Sequence, residues 1–214
     1  MKNNTDTRIG IFGGAFDPIH LGHTIPLSEI KKTHDLSKIY FIPTNISNSK
    51  KKFFATPKQR IKMLEVCLDN KSYIIDDREI ARGGISYTFE TLSEISSENP
   101  NSKLYLILGL DKLNSITEWK DFEKIFEICN IIVSLRYSID KPNKEPLIHK
   151  LLQSLILSDP AIFHRHPYGR IYIEQTSVIN VSSTEIRRKL RNYASISDLV
   201  DPRLEKWLLE NKVY

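Results

Sequence analysis

The chain has 214 residues, 31 Lys and Arg against 26 Asp and Glu, a net charge of +5 and a 40% hydrophobic complement. This composition excludes a disordered tail and a fibrous repeat, and apolar runs such as Leu104 to Leu108 stop far short of the roughly 18 residues a membrane span needs. Cys67 and Cys129 offer neither a disulfide framework nor a zinc spacing, and Met1 to Arg8 has no hydrophobic stretch of signal-peptide length, so a reduced, cytoplasmic setting is expected.

Arg8 to Phe12 is a short β-prone run that meets Gly13-Gly14, and a helical segment follows from about Leu21 to His34. Pro26 lies inside that segment; lacking an N–H, it fits near the first turn or makes a kink. Lys38 to Pro43 reads as a second strand, which completes the opening of a βαβ unit. Thr56, Pro57 and Gln59 signal a helix start, and Ile61, Leu64 and Leu68 follow at helical spacing with Cys67 in the helix core. Tyr73 to Ile75 is a brief strand, and Phe89, Leu92 and Ile95 mark a helix ended by Asn99-Pro100. Lys103 to Gly109 is apolar at nearly every position, as a central parallel strand covered on both faces should be.

A helix capped by Thr117 is expected to carry Trp119, Phe122, Ile125, Phe126 and Cys129, with Asn130 to Leu135 as the next strand. From Ser138 to Arg170 four prolines punctuate a weak pattern; a short helix is expected near Leu147 to Leu157, and His164-Arg165-His166 reads as solvated loop rather than metal ligand. Arg170 to Glu174 and Val178 to Val181 look like strand pieces, Ser182 to Glu185 gives a capping box, and Asp201-Pro202 opens a last helix. With no repeat and no Gly/Ser-rich linker, residues 1–214 are expected to form a single domain, with a helical part from about 182 to 214. Strands alternating with helices give an α/β class with a parallel sheet.

The chemistry concentrates between Gly13 and His23. Glycines after a strand let backbone N–H groups approach a ligand, and a helix N-terminus attracts anions. His20 and His23, three residues apart, sit one above the other on that first turn, so the segment suits a phosphate chain. It matches neither G-x-G-x-x-G nor G-x-x-x-x-G-K-[ST], which disfavours hydride transfer and P-loop hydrolysis. Ser182-Ser183-Thr184-Glu185-Ile186-Arg187 is a second helix start, with hydroxyls at the cap and a guanidinium one turn in.

These segments resemble the nucleotidyltransferase superfamily, whose G-G-x-F-D-P-x-H-x-G-H form is matched at all eight fixed positions from Gly13 to His23 and whose I-S-S-T-x-I-R form is similar to residues 182–187. The resemblance implies a Rossmann-like, doubly wound parallel sheet of the nucleotidyltransferase type. Three further segments are similar to bacterial nicotinate-nucleotide adenylyltransferases: Ser86 to Leu92 to their S-Y-T-x-x-T-L, Leu108-Gly109-Leu110-Asp111 to their L-G-x-D turn, and Trp119 and Arg136 to an aromatic and a basic residue at the acceptor.

That family implies adenylyl transfer from ATP to nicotinate mononucleotide. His20, His23 and Arg187 would be catalytic. Gly13, Gly14, Phe16, His20, His23, Gly109, Asp111, Ser182, Ser183, Thr184 and Arg187 would bind ATP; Tyr87, Thr88, Trp119 and Arg136 would bind the acceptor. Mg²⁺ would arrive mainly on the ATP phosphates, with no metal ligands on the chain, and the expected partners are these small molecules, not nucleic acid or membrane, with a homo-oligomer left open. Two departures stand out: Asn45 to Lys52 replaces a P-P-H-K-like loop, leaving Lys50, Lys51 and Lys52 as alternatives for one substrate-facing lysine, and the 138–170 stretch is long. A pantetheine-phosphate adenylyltransferase and, in a different class, an RNA-binding α/β module are the rival readings. The RNA reading lacks aromatic-rich runs.

Overall fold

The structure, a computed structural model, describes residues 7–48, 52–136 and 149–214. Its strands are β1 (Thr7–Gly14), β2 (Lys38–Pro43), β3 (Tyr73–Ile75), β4 (Ser102–Gly109), β5 (Cys129–Arg136), β6 (Ile156–Leu157) and β7 (Ile171–Thr176). They form one sheet in the order β3-β2-β1-β4-β5-β7-β6, and each of these neighbouring pairs is parallel. From β1 the chain winds outward to β2 and β3, then returns to place β4 on the other side of β1. That reversal opens a crevice at the carboxyl ends of β1 and β4, where ligands of open α/β sheets bind.

The helices are α1 (Leu21–Thr33), α2 (Pro57–Cys67), α3 (Arg78–Arg82), α4 (Thr88–Glu98), α5 (Leu110–Asn114), α6 (Phe122–Ile125), α7 (Lys150–Gln153), α8 (Pro160–Arg165), α9 (Ser183–Arg191) and α10 (Pro202–Asn211). Two apolar clusters lie on opposite faces of the sheet, and β4 shows why both are needed. Its Tyr105 and Ile107 enter one cluster with Leu27, Met63, Ile186 and Leu204, while Leu104, Leu106 and Leu108 enter the other with Leu92, Ile95 and Val133. The strand is buried on both sides, so its sequence is apolar throughout and the sheet is doubly wound.

Thr56 caps α2 as expected, its hydroxyl accepting from the Gln59 N–H while the Gln59 side chain accepts from the Thr56 N–H. Helix α1 continues through Pro26, which lies buried in the second turn.

Four expectations fail locally. The helix around Trp119 is a 3₁₀ turn, Ile116–Glu118, followed by extended backbone at Trp119 and the short α6. Asp121, at φ 54°, takes the left-handed conformation its short polar side chain tolerates and breaks the apolar periodicity. Cys129 then opens β5 opposite Leu104 instead of ending a helix. Within the expected helix over 147–157, of which 147 and 148 lie outside the described residues, α7 is a single turn and Ile156–Leu157 pairs with β7. Val178 to Val181 makes no strand. His164 is not solvated: it lies on α8 and bonds to His34 and Tyr105.

Candidate active site

Strand β1 ends on Gly13 and Gly14, and α1 begins seven residues later. A side chain added at Gly13 would meet nothing nearer than the Ile42 carbonyl at 4.0 Å, so the space above this exposed glycine is open to a ligand. At Gly14 and Gly22 the reason for glycine is different. A Cβ on Gly14 would come within 3.0 Å of the Phe16 ring, and one on Gly22 within 2.9 Å of Val181 Cγ1 and 3.1 Å of the His20 ring. Gly22 therefore lets the first turn of α1 lie against the segment leading into α9 and against His20 itself.

His20 is the N-cap of α1, and its backbone N–H donates to His23 Nδ1 at 3.3 Å. Accepting at Nδ1 leaves the proton of neutral His23 on Nε2, where it is a donor. The two imidazoles stack with centroids 3.8 Å apart and planes 24° from parallel, and the His23 ring meets the edge of Phe16 at 5.7 Å. Phe16 is 1% exposed, with left-handed backbone at φ 47°. It supports the turn from beneath.

Helix α9 closes the other side. Ser182 accepts from the Glu185 N–H, which is one half of the expected capping box, and Ser183 Oγ donates to the Pro18 carbonyl at 2.9 Å. Arg187 is buried; its Nη1 donates to the Asp17 carbonyl at 2.5 Å, its Nη2 to Thr184 Oγ1 at 3.1 Å, and its guanidinium lies 4.4 Å from the Phe54 ring centre. Gly13, Gly14, His20, His23, Ser183, Thr184 and Arg187 are thus gathered around one turn, 13–18. Five N–H bonds are available to a guanidinium and two are engaged here, so Arg187 clasps the turn with donors to spare.

Beyond the crevice, Gly109 ends β4 and caps α5, and Asp111 on the first turn is exposed and pairs with Lys112 at 3.8 Å. Tyr87 is the N-cap of α4 and Thr88 its first residue. Lys120, next to the half-buried Trp119, lies 4.2 Å from the Tyr87 ring centre and donates to Glu90 at 2.9 Å, which ties the Trp119 segment to the start of α4. Arg136 ends β5 opposite Thr176 in β7. Of the three candidate lysines, Lys50 and Lys51 lie outside the described residues.

Sequence reasoning passed over four residues that organise this turn. The Asp17 carboxylate, 4% exposed as a residue, accepts from the Phe54 N–H at 2.7 Å, the Ala55 N–H at 2.9 Å and the Tyr214 hydroxyl at 2.9 Å. Arg60 of α2 is fully buried, donates to the Ala15 carbonyl at 2.8 Å and lies 4.4 Å from the Phe53 ring centre. Burial lowers its pKa, opposed by the nearby Asp17 charge. Asp17 could have been found, since it stands within the matched motif; nothing in the local sequence marks Phe54, Arg60 or Tyr214.

A parallel sheet reversing at β1, a glycine turn at that point and a stacked histidine pair on the following helix define a nucleotidyltransferase of the α/β type. The family model described as cytidylyltransferase-like matches residues 11–189. A relative from Psychromonas ingrahamii named "Probable nicotinate-nucleotide adenylyltransferase" is 34% identical over 211 residues, 96% of each chain. One of the same name from Yersinia pestis is 29% identical over 97% of this chain and 96% of its own. A solved structure of Plasmodium falciparum nicotinic acid mononucleotide adenylyltransferase complexed with NaAD superposes with a TM-score of 0.71 at 20% identity, covering 96% of each chain. The chain belongs to the cytidylyltransferase-like family and, within it, to the nicotinate-nucleotide adenylyltransferases.

Proposed function

We propose that this chain transfers the adenylyl group of ATP to nicotinate mononucleotide, giving deamido-NAD and pyrophosphate. The observation that carries the reading is the His20–His23 pair, stacked at the start of α1 beside the open face of Gly13. An oxygen of the acceptor's 5′-phosphate attacks the α-phosphorus in line; the bond from that phosphorus to the bridging oxygen breaks, and pyrophosphate leaves. The acceptor phosphate is ionised at neutral pH, so no strong base is required. Catalysis rests on alignment and on donors aimed at the charge that develops. His23 Nε2–H and the α1 N-terminus serve the α-phosphate, Arg187 and the α9 N-terminus serve the leaving phosphates, and Gly13, Gly14 and Gly109 leave room for the nucleotide.

The nicotinate carboxylate fits the N-terminus of α4 at Tyr87-Thr88, where unpaired N–H groups and the dipole favour an anion. Glu90 in that first turn would repel it, but Lys120 at 2.9 Å and Arg82 at 3.3 Å neutralise Glu90. Trp119 supplies a ring to stack on the pyridine, and Arg136 a cation for the acceptor phosphate. Among the described residues no group of three or more His, Cys, Asp or Glu could hold a metal ion, and in this reading Mg²⁺ comes as a companion of the triphosphate. Among the described residues no helix is long and apolar enough to cross a membrane. Two free cysteines support a reducing, cytoplasmic setting.

Pyrophosphate release from ATP, measured in turn with nicotinate mononucleotide, nicotinamide mononucleotide and phosphopantetheine, tests this reading. The expected result is turnover with the nicotinate form and a kcat/KM at least about tenfold lower with the nicotinamide form, because a carboxamide turns its NH₂ toward donors. Equal use of both would sink the carboxylate argument, and turnover with phosphopantetheine alone would replace the reaction.

A further inference from the structure

We infer that Tyr214 is a positioning residue for this nucleotidyl-transfer site, acting through the carboxylate of Asp17. The inference rests on the reaction proposed above only for its kinetic readout. Helix α10 ends at Asn211, and Lys212, in left-handed conformation at φ 47°, turns the chain so that Val213 and Tyr214 pack back onto the core cluster that holds Met63 and Phe16. The phenol then stands between α2 and the catalytic turn, donating to Asp17 Oδ1 at 2.9 Å and lying 3.7 Å from Met63 Sδ. Burial, and the adjacent Asp17 charge after it, raise the pKa of this phenol, so it is a proton donor across the working pH range.

The significance lies in what else Asp17 holds. Its Oδ2 accepts from the Phe54 N–H, its Oδ1 from the Ala55 N–H as well as from Tyr214, and its backbone carbonyl accepts from Arg187. One residue therefore joins the segment after β2, the turn before the histidine pair, the arginine of α9 and the end of α10. Phe54 in turn packs on Arg187 at 4.4 Å and Arg191 at 4.8 Å, so the amides fixed by Asp17 also fix the ring that covers those guanidinium groups.

Removing the phenol hydroxyl leaves a buried carboxylate short of one donor. The nearest cation is Arg187, whose Nη1 is 4.0 Å from Asp17 Oδ2. Closing that gap draws the guanidinium from the Asp17 carbonyl and Thr184 toward the carboxylate and away from the phosphate side. The effect should therefore fall on ATP and on kcat, not on acceptor binding.

The test uses Tyr214→Phe, which keeps the ring and deletes the hydroxyl. Leu208→Ala is the control; it hollows the packing of α10, where Leu208 is 2% exposed, without touching Asp17. Steady-state kinetics, calorimetric ATP affinity and hydrogen exchange at the Phe54 and Ala55 amides are measured on each. For Tyr214→Phe we expect kcat to fall about tenfold, ATP affinity to weaken several-fold, the acceptor KM to stay within about twofold, and both amides to exchange faster. In an Asp17→Asn background the same substitution should add less than about twofold, because the shared link is already broken.

Leu208→Ala should lower the melting temperature more and these readouts less. Unchanged exchange and unchanged ATP affinity in Tyr214→Phe would overturn the inference. So would a Leu208→Ala protein that reproduced the whole pattern, because Tyr214 would then contribute stability alone. Exchange and ATP binding need no turnover, so failure of the proposed acceptor leaves this test standing.

Discussion

Helix α1 has a pair of histidines at each end, and the two pairs differ in almost every physical respect. At its N-terminus His20 and His23 are neighbours in sequence, stacked at 3.8 Å, and His23 is half-exposed beside the glycine turn. At its C-terminus His34 is fully buried and meets His164, 130 positions later, at 3.2 Å. The second pair belongs to a chain of hydrogen bonds whose direction can be worked out. Ionised Glu174 only accepts, so His34 Nε2–H donates to it at 2.9 Å; neutral His34 Nδ1 then accepts from His164 Nε2–H, and His164 Nδ1 accepts from the Tyr105 hydroxyl at 2.9 Å. With both imidazoles neutral all three links are satisfied, whereas protonating both would set His34 Nδ1–H against His164 Nε2–H. Burial above all lowers both pKa values to about 4; for His34 the further causes are His164 and Arg8, and for His164 they are Arg8 and Lys103, with Asp35 opposing. In the proposed reading the first pair serves a ligand; the second ties α8 to α1 and the sheet.

The largest expected effect separates the two directly. His23→Ala should lower kcat by about 10²-fold, as for one lost transition-state donor, while the protein stays folded. His34→Ala should do the reverse. It strands the half-buried Glu174 and His164 groups and should cost about 2–4 kcal/mol of stability, with kcat within about twofold of wild type. Chemical denaturation and steady-state kinetics on both variants check the pattern. A stable, active His34→Ala protein would mean the buried chain holds nothing together, and a near-normal kcat in folded His23→Ala would remove His23 from the catalytic groups.

A pH series sharpens the contrast with a smaller effect. His34 and His164 bind their proton at about pH 6.5 when unfolded and at about pH 4 when folded, so between those values the unfolded chain holds more protons. Stability is therefore full above about pH 6.5 and declines as pH falls toward about 4. Glu174, raised by burial and by Glu29, works in the opposite sense, since its folded form holds the extra proton, and it offsets part of the decline at the acid end. Denaturation midpoints between pH 7 and 4 should fall less steeply in His34→Ala than in wild type. Parallel slopes would show that the acid sensitivity arises elsewhere.

The same contrast explains what could be read from the chain. The geometry of the glycine turn was legible because its parts are local: a strand end, two glycines, and imidazoles at a spacing that one helical turn converts into contact. The central β4 was legible because burial on both faces leaves an uninterrupted apolar run. What escaped is built from distance. His164 looked like loop because its partners, His34 and Tyr105, are 130 and 59 positions away. Tyr214 reaches Asp17 across 197 positions. Trp119 misled for another reason: its apolar neighbours keep helical spacing while Asp121 leaves the helical region altogether, and periodicity is blind to one residue of backbone.

The smallest prediction lies between the two ends of α1. Glu29, in the middle of the helix, accepts from the Ser177 N–H at 2.8 Å and from its hydroxyl, just beyond the end of β7. Among the described residues it is also the charged neighbour that raises the Glu174 pKa, after burial. Glu29→Gln keeps an acceptor for Ser177 and deletes the charge. Because the bond is exposed and the like-charge repulsion is secondary, stability should change by less than about 1 kcal/mol and kcat by less than about twofold. The carboxyl titration of Glu174, followed by carbon NMR, should nevertheless move to lower pH, since burial alone is left to oppose ionisation. A lower Glu174 pKa strengthens the acceptor at the foot of the chain and makes the acid decline slightly steeper, for the offset it provides is reduced. If the titration does not move, Glu29 and Glu174 do not sense each other, and the middle of α1 is a tether for β7 that has no part in the buried histidine chain.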